Sequence, residues 1–149
     1  MAQDKDAFRS TDHPLPRFAS LGKNKSYVRT GPGARYPIKW IFQKKHLPVE
    51  IILEFDHWRK IIDSEGEVGW IHVSQLSGRR GGLIRAQDLV SLHRAPAKSE
   101  AIIAYLEPNV VTSISSCNTN WCLVNVDGYK GWVEKQYLWG VYKNEIIRN

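Results

Sequence analysis

The chain has 149 residues, 21 of them Lys or Arg and 15 Asp or Glu, for a net charge of +6 at pH 7. That length suits one ordinary domain or two very small ones, and no apolar run approaches the roughly 20 residues of a membrane-spanning helix. The positive balance implies solubility and a general attraction for anions, and it gathers in Lys23, Lys25, Arg29, Arg35, Lys39, Lys44 and Lys45.

Residues 1–16 are polar, carry Asp4, Asp6 and Asp12, and end in His13-Pro14-Leu15-Pro16. They read as a flexible N-terminal tail. No basic start followed by an apolar core is present, so no signal peptide is expected within the chain; Met1-Ala2-Gln3-Asp4 suits the start of a processed protein that has gained a Met. From Arg17 the pattern changes to short strands. Arg17 to Leu21, Ser26 to Arg29 and Ile38 to Phe42 are separated by Gly22-Lys23-Asn24-Lys25 and by Gly31-Pro32-Gly33. In the latter, Pro fixes φ while its Gly neighbours are free to turn. Val49, Ile51, Leu53 and Phe55 alternate with Glu50, Ile52 and Glu54, as on a half-buried strand with Glu50 and Glu54 toward solvent. Trp58 to Ile62 and Gly69 to Val73 form a hairpin, and Ser74-Gln75-Leu76 a single helical turn.

Residues 79–82 form a short linker, after which the order is replayed. Trp58, Gly69-Trp70, Leu76 and Gly78 recur as Trp121, Gly131-Trp132, Leu138 and Gly140, offset by 62 or 63 positions. Such a period marks a duplicated small module. The units are 17–78 and 83–143, with a C-terminal tail over 144–149. Five or six short strands are expected in each, and no long helix. Units of about 60 residues are marginal alone, so they are expected to pack together or to carry a covalent staple. Asp127-Gly128 is a two-residue hairpin signal that needs positive φ at both positions.

Cys117 and Cys122, the only cysteines, fall at the two sides of a hairpin mouth. Paired strands there bring Cβ atoms to disulfide distance. A disulfide is the favoured reading and implies an oxidising compartment; two packed free thiols are the alternative. A zinc site lacks a second ligand pair at short spacing, and a catalytic cysteine lacks a placed base, the nearest candidate being His93 in a loop. The five histidines show no metal spacing, no Gly-rich loop precedes a helix, and no paired carboxylates stand out. No metal, cofactor or catalysis is therefore expected.

The aromatic residues stand above background. Trp70 and Trp132 are read as plugs at the barrel ends. Tyr27, Tyr36, Trp40 and Trp58 are read, with Arg29 and Arg35, as a groove in which flat rings stack on a peptide or sugar while a guanidinium holds a carboxylate.

Tyr27-Val28-Arg29-Thr30-Gly31-Pro32-Gly33, Trp58-Arg59-Lys60-Ile61 and Gly69-Trp70-Ile71, closing on Leu76, resemble bacterial SH3-like (SH3b) domains. Repeat two keeps the later landmarks but replaces the Gly-Pro-Gly turn with Leu92-His93-Arg94-Ala95-Pro96-Ala97. The tandem form with its two cysteines is similar to exported SH3-like proteins of Gram-negative bacteria. The resemblance implies an all-β chain of two tandem SH3-like small β-barrels. It also implies a non-catalytic module, periplasmic or secreted, whose partner is a peptide, peptidoglycan or an envelope protein. The acidic loop and Ala-Leu-Tyr-Asp-Tyr run of the Pro-rich binders are missing, so that ligand mode is not expected. A cytoplasmic small-barrel protein that binds nucleic acid through the basic cluster of repeat one is the less favoured alternative.

Overall fold

The structure is a computed structural model that describes residues 8–148. It divides into two compact units, Met1–Gly78 and Arg79–Asn149. In the first, β1 (Arg17–Leu21), β2 (Ser26–Arg29), β3 (Ile38–Phe42), β4 (Pro48–Phe55), β5 (Trp58–Ile62), β6 (Val68–His72) and β7 (Leu76–Ser77) form one sheet. Its strand order is β3-β2-β6-β5-β4-β1-β7. The second contains β8 (Gly81–Ile84), β9 (Val90–His93), β10 (Ile102–Leu106), β11 (Val111–Cys117), β12 (Trp121–Val126), β13 (Tyr129–Glu134) and β14 (Leu138–Trp139). Its order is β10-β9-β13-β12-β11-β8-β14, the same permutation strand for strand. Both sheets are antiparallel throughout. The duplication read from five landmarks is thus a duplication of topology. The seventh strand of each unit is a two-residue piece that follows a single 3-10 turn, Val73–Gln75 or Lys135–Tyr137. Strands that short have no periodicity to read, which is why five or six were expected.

Each unit has its own core. Leu21, Val28, Val49, Ile51, Ile61 and Ile71 fill the first, with Trp40 and Phe42 packed against them. Ile84, Leu92, Val124, Val133 and Leu138 fill the second, together with Cys117 and Cys122. Core positions alternate along β5, where Arg59 and Ile61 are buried and Trp58 and Lys60 half-buried, because successive Cβ atoms point to opposite faces.

In β4 the alternation is interrupted in the middle of the strand. A bulge between Ile51 and Leu53 inserts one residue against β5. A one-residue shift exchanges the two faces of the strand beyond it. Glu54, expected in solvent, is therefore wholly buried, and Phe55, expected inside, is exposed.

Glycine lets the strands of both units close up. A Cβ at Gly131 would lie 2.7 Å from Leu92 Cγ and 2.8 Å from the carbonyl oxygen of His93. The backbone oxygen cannot swing away, so Gly131→Ala is expected to destabilise unit 2 by about 1–3 kcal/mol, read as a lowered urea midpoint. Gly69 stands at the matching place, where a Cβ would overlap Val28 Cγ1 and approach the Arg29 carbonyl. The Asp127-Gly128 turn forms as expected, with φ of 51° and 89°. The Gly128 amide donates to Asn125 Oδ1 at 3.0 Å.

Both terminal stretches are tied down where described. The Glu54 amide donates to the Phe8 carbonyl at 2.6 Å, and Leu15 packs against the first core. The tail expected over 1–16 is therefore anchored from Phe8 onward; residues 1–7 lie outside the described residues. The linker expected over 79–82 is shorter, since Gly81 and Gly82 already belong to β8. The tail expected from 144 returns to the sheet, where Ile147 and Cys117 exchange both backbone hydrogen bonds at 3.0 and 2.9 Å.

These two anchor points correspond. Glu54 faces Arg59 across the β4–β5 ladder, and Cys117 faces Cys122 across the β11–β12 ladder. Trp58 and Trp121, the neighbours of Arg59 and Cys122, pair with His72 and Glu134 in turn. One cross-strand position thus holds a buried ion pair in the first unit and a disulfide in the second, and in both it receives a terminal segment.

Candidate functional site

In unit 1 the six residues read as a groove separate into different roles. Arg29 Nη1 donates to the carbonyls of Ala34 and Tyr36 at 3.1 and 3.0 Å. It holds the 30–37 loop closed, and its guanidinium is partly engaged inside the protein. Tyr36 lies under Gly31 and Gly33; a Cβ at Gly31 would fall 2.6 Å from its ring. Arg35 stands above that ring, its Cζ 5.4 Å from the centroid. Trp40 turns inward onto the core, edge-on to Phe42 at 5.7 Å, and its indole N–H is buried with no acceptor among the described residues. Tyr27 is half-buried beside Lys25, 5.8 Å from its ring centroid. Trp58 is half-buried and meets His72 edge-on at 5.2 Å. Arg35 and Tyr36 therefore share the loop, Trp58 sits with His72, and Trp40 belongs to the packing.

Trp70, expected to plug the barrel, stands outside the core cluster. Its neighbour Ile71 is in the core, so Trp70 points to the other face. It is covered there by Phe8, which also touches Phe55, with centroid distances of 6.5 and 6.2 Å.

Glu54 fastens this N-terminal segment. Its Oε1 accepts from the amides of Ser10 and Thr11 at 2.8 and 2.9 Å. Its Oε2 accepts from Thr11 Oγ1 at 2.7 Å and from Arg17 Nη2 at 2.9 Å. Arg59 Nε lies 3.6 Å from Oε2. Burial alone would raise the carboxyl's pKa, but the hydrogen bonds from Thr11, Ser10 and Arg17 outweigh it and bring it down to about 2.

In unit 2 the corresponding elements leave two adjoining hollows. One, of about 670 Å³, has Trp121, Lys98, Glu134, Lys135, Leu138 and Lys143 in its walls. The other, of about 540 Å³, is lined by Asp88, Leu89, His93, Ile102 and Tyr137 and shares Lys98 and Glu134 with the first. Lys98 Nζ stands 3.6 Å from Glu134 Oε1. Trp121 is braced edge-on by His93 at 5.4 Å, and His93 Nδ1 lies 2.9 Å from the Glu100 carbonyl. His93 thus has a structural place beside the tryptophan.

Lys135 is buried, and its Nζ donates to the carbonyls of Glu145 and Lys143 at 2.6 and 3.3 Å. Burial lowers its pKa and Glu145 partly restores it. Glu145 is held below the usual carboxylate range, first by its hydrogen bonds from Arg80, at 2.9 Å from Nη2 to Oε1. This hollow has no mark in the opening loop of repeat two, which lacks Gly-Pro-Gly. The register of Trp121 with Trp58 was the signal that pointed to it. Among the described residues, no group of three or more His, Cys, Asp or Glu side chains is placed to hold a metal ion.

Cys117 and Cys122 are disulfide-bonded, as their place across the hairpin mouth implied.

Residues 22–78 and 86–140 each match the family described as bacterial SH3 domain. The chain belongs to that family, in tandem form, and all of its sheet structure is of that all-β kind. Among solved structures it is similar to NlpC2 from Trichomonas vaginalis at 18% identity and a TM-score of 0.41, over 90% of this chain and 51% of that one. NlpC1 from the same organism gives 16% identity and a TM-score of 0.37, over 89% and 48%. An NlpC/P60 family protein from Bacillus cereus gives 13% identity and 0.37, over 82% and 55%. The chain therefore spans about half the length of these proteins. No curated protein matches it significantly.

Proposed function

We propose that the chain is a non-enzymatic binding module of the bacterial envelope, holding a peptide, peptidoglycan or an envelope protein. The observation that carries this reading is the bacterial SH3 domain present twice, one copy closed by a disulfide. A disulfide supports an oxidising compartment, periplasmic or secreted. Among the described residues no helix is long and apolar enough to cross a membrane.

In unit 1 the ligand-facing groups are Arg35 on the ring of Tyr36, with Tyr27 and Trp58. Arg29 and Trp40 act behind them, by shaping the loop and filling the core. A stacked ring and an exposed guanidinium suit a flat or carboxylate-bearing ligand.

Retention of the purified protein on peptidoglycan sacculi tests the reading. Binding is expected to persist from low to moderate salt, and Arg35→Ala and Trp58→Ala are each expected to weaken it about fivefold or more. No retention at low salt would overturn the cell-wall assignment. Binding to nucleic acid that collapses steeply as salt rises would favour the basic cluster of repeat one instead.

A further inference from the structure

We propose that the paired hollows of unit 2 form a second ligand site, one that takes a short peptide with both termini free. The carboxylate lies at the Lys143 end and the ammonium at the Asp88 end. The proposal rests on the binding-module reading and names a ligand class for it.

The first hollow has Lys98, Lys135, Lys143 and Glu134 in its wall. Lys98 faces Glu134, and Lys135 is engaged by Glu145 and by the carbonyls of residues 143 and 145, so the charge left to a ligand there is that of Lys143. The second carries Asp88 and shares Lys98 and Glu134. The unshared parts of the two hollows thus carry opposite signs, Lys143 in the first and Asp88 in the second, while the shared part is neutralised by the Lys98–Glu134 pair at 3.6 Å. A polyanion would meet Asp88 and Glu134 along its length; a dipolar chain matches both ends.

Size and surface agree. Volumes of about 670 and 540 Å³ lie in the range that holds small ligands. The walls offer apolar contact from Trp121, Leu138 and Ile102. Trp121 is held against His93, so its ring is preorganised and loses little freedom on binding. Lys98 is 78% exposed in its side chain, so its link to Glu134 is weak and can open. Glu134 then accepts a peptide N–H. The matching positions of unit 1 hold His72 and Val73, so the buried lysine is particular to this copy.

The test uses the full-length oxidised protein and tetra-L-alanine in three forms: free, C-terminally amidated and N-acetylated. Binding is followed by the Trp121 indole N–H signal in NMR. The free peptide is expected to give a saturable shift; amidation weakens it about tenfold and acetylation about threefold, as expected for charge-assisted contacts. Lys143→Gln should abolish the difference between acid and amide, and Asp88→Asn that between amine and acetyl. Lys143 and Asp88 are both exposed, so these variants leave the fold intact.

Equal binding of all three forms, shifts confined to unit 1, equal displacement by inorganic phosphate, or no binding at millimolar peptide would each overturn the proposal. Sacculus retention without peptide binding in unit 2 removes this inference alone. Peptide binding without retention on sacculi removes the cell-wall reading alone.

Discussion

Replacing Glu54 by alanine is expected to destabilise unit 1 by about 3–5 kcal/mol, the cost of breaking a buried ion pair by removing one partner. The side chain is wholly buried and accepts four hydrogen bonds, from the amides of Ser10 and Thr11, from Thr11 Oγ1 and from Arg17. Without it, Arg59, which is 6% exposed, keeps its charge inside the unit with, among the described residues, the carbonyls of Asp56 and Trp58 as its partners. Against the 5–15 kcal/mol of a typical domain, that loss takes much of the margin of so small a unit. Hydrogen exchange at β4 and β5 reads it directly. The segment at Ser10 and Thr11 should also become fast-exchanging, and Trp70, no longer held under Phe8, should gain access to quencher.

The same carboxylate makes unit 1 sensitive to acid. Its folded pKa of about 2 lies below the ordinary value of 4.5, so the unfolded chain binds the proton more readily. Stability from this group is therefore complete above about pH 4.5 and is lost as pH falls toward 2, by roughly 3 kcal/mol in all. Glu54→Gln should flatten this part of the unit 1 pH profile while lowering stability at neutral pH. A steep fall that persists in Glu54→Gln would assign the acid sensitivity elsewhere.

Glu54 also marks where the sequence stops being readable. Alternation along Val49 to Phe55 gave the strand, its length and the inward faces of Val49 and Ile51. A bulge has no signature in a run such as Ile51-Ile52-Leu53, where three apolar residues suit either face, so strict alternation puts Glu54 and Phe55 on the wrong sides. Trp40 was legible as aromatic but not as packing, since strand β3 is otherwise exposed at Ile38, Lys39 and Ile41. The duplication, the Asp127-Gly128 turn and the cysteine pair were legible because each rests on local or repeated chemistry. The closure of residues 8–16 onto Glu54 spans more than 40 positions, and no local pattern encodes contacts at that range.

Opening the Cys117–Cys122 disulfide is expected to destabilise unit 2 by about 2 kcal/mol, the chain-entropy value for so small a loop. The two sulfurs lie inside the second core, so the Cys117→Ser/Cys122→Ser variant adds the cost of polar groups there; Cys117→Ala/Cys122→Ala separates the crosslink from the polarity. The effect should not stop at the hairpin. Cys117 exchanges both backbone hydrogen bonds with Ile147, and Glu145 in the same segment holds Arg80 and, through its carbonyl, Lys135. Loosening Cys117 therefore weakens the seating of residues 145–147. Urea unfolding with and without reductant, followed by exchange at Ile147, separates the outcomes. A lowered midpoint with faster exchange at Ile147 is expected, whereas unit 1, where Glu54 and Arg59 occupy the corresponding positions, should be indifferent to reductant. An unchanged unit 2 midpoint would mean that the crosslink contributes nothing to holding the C-terminal segment.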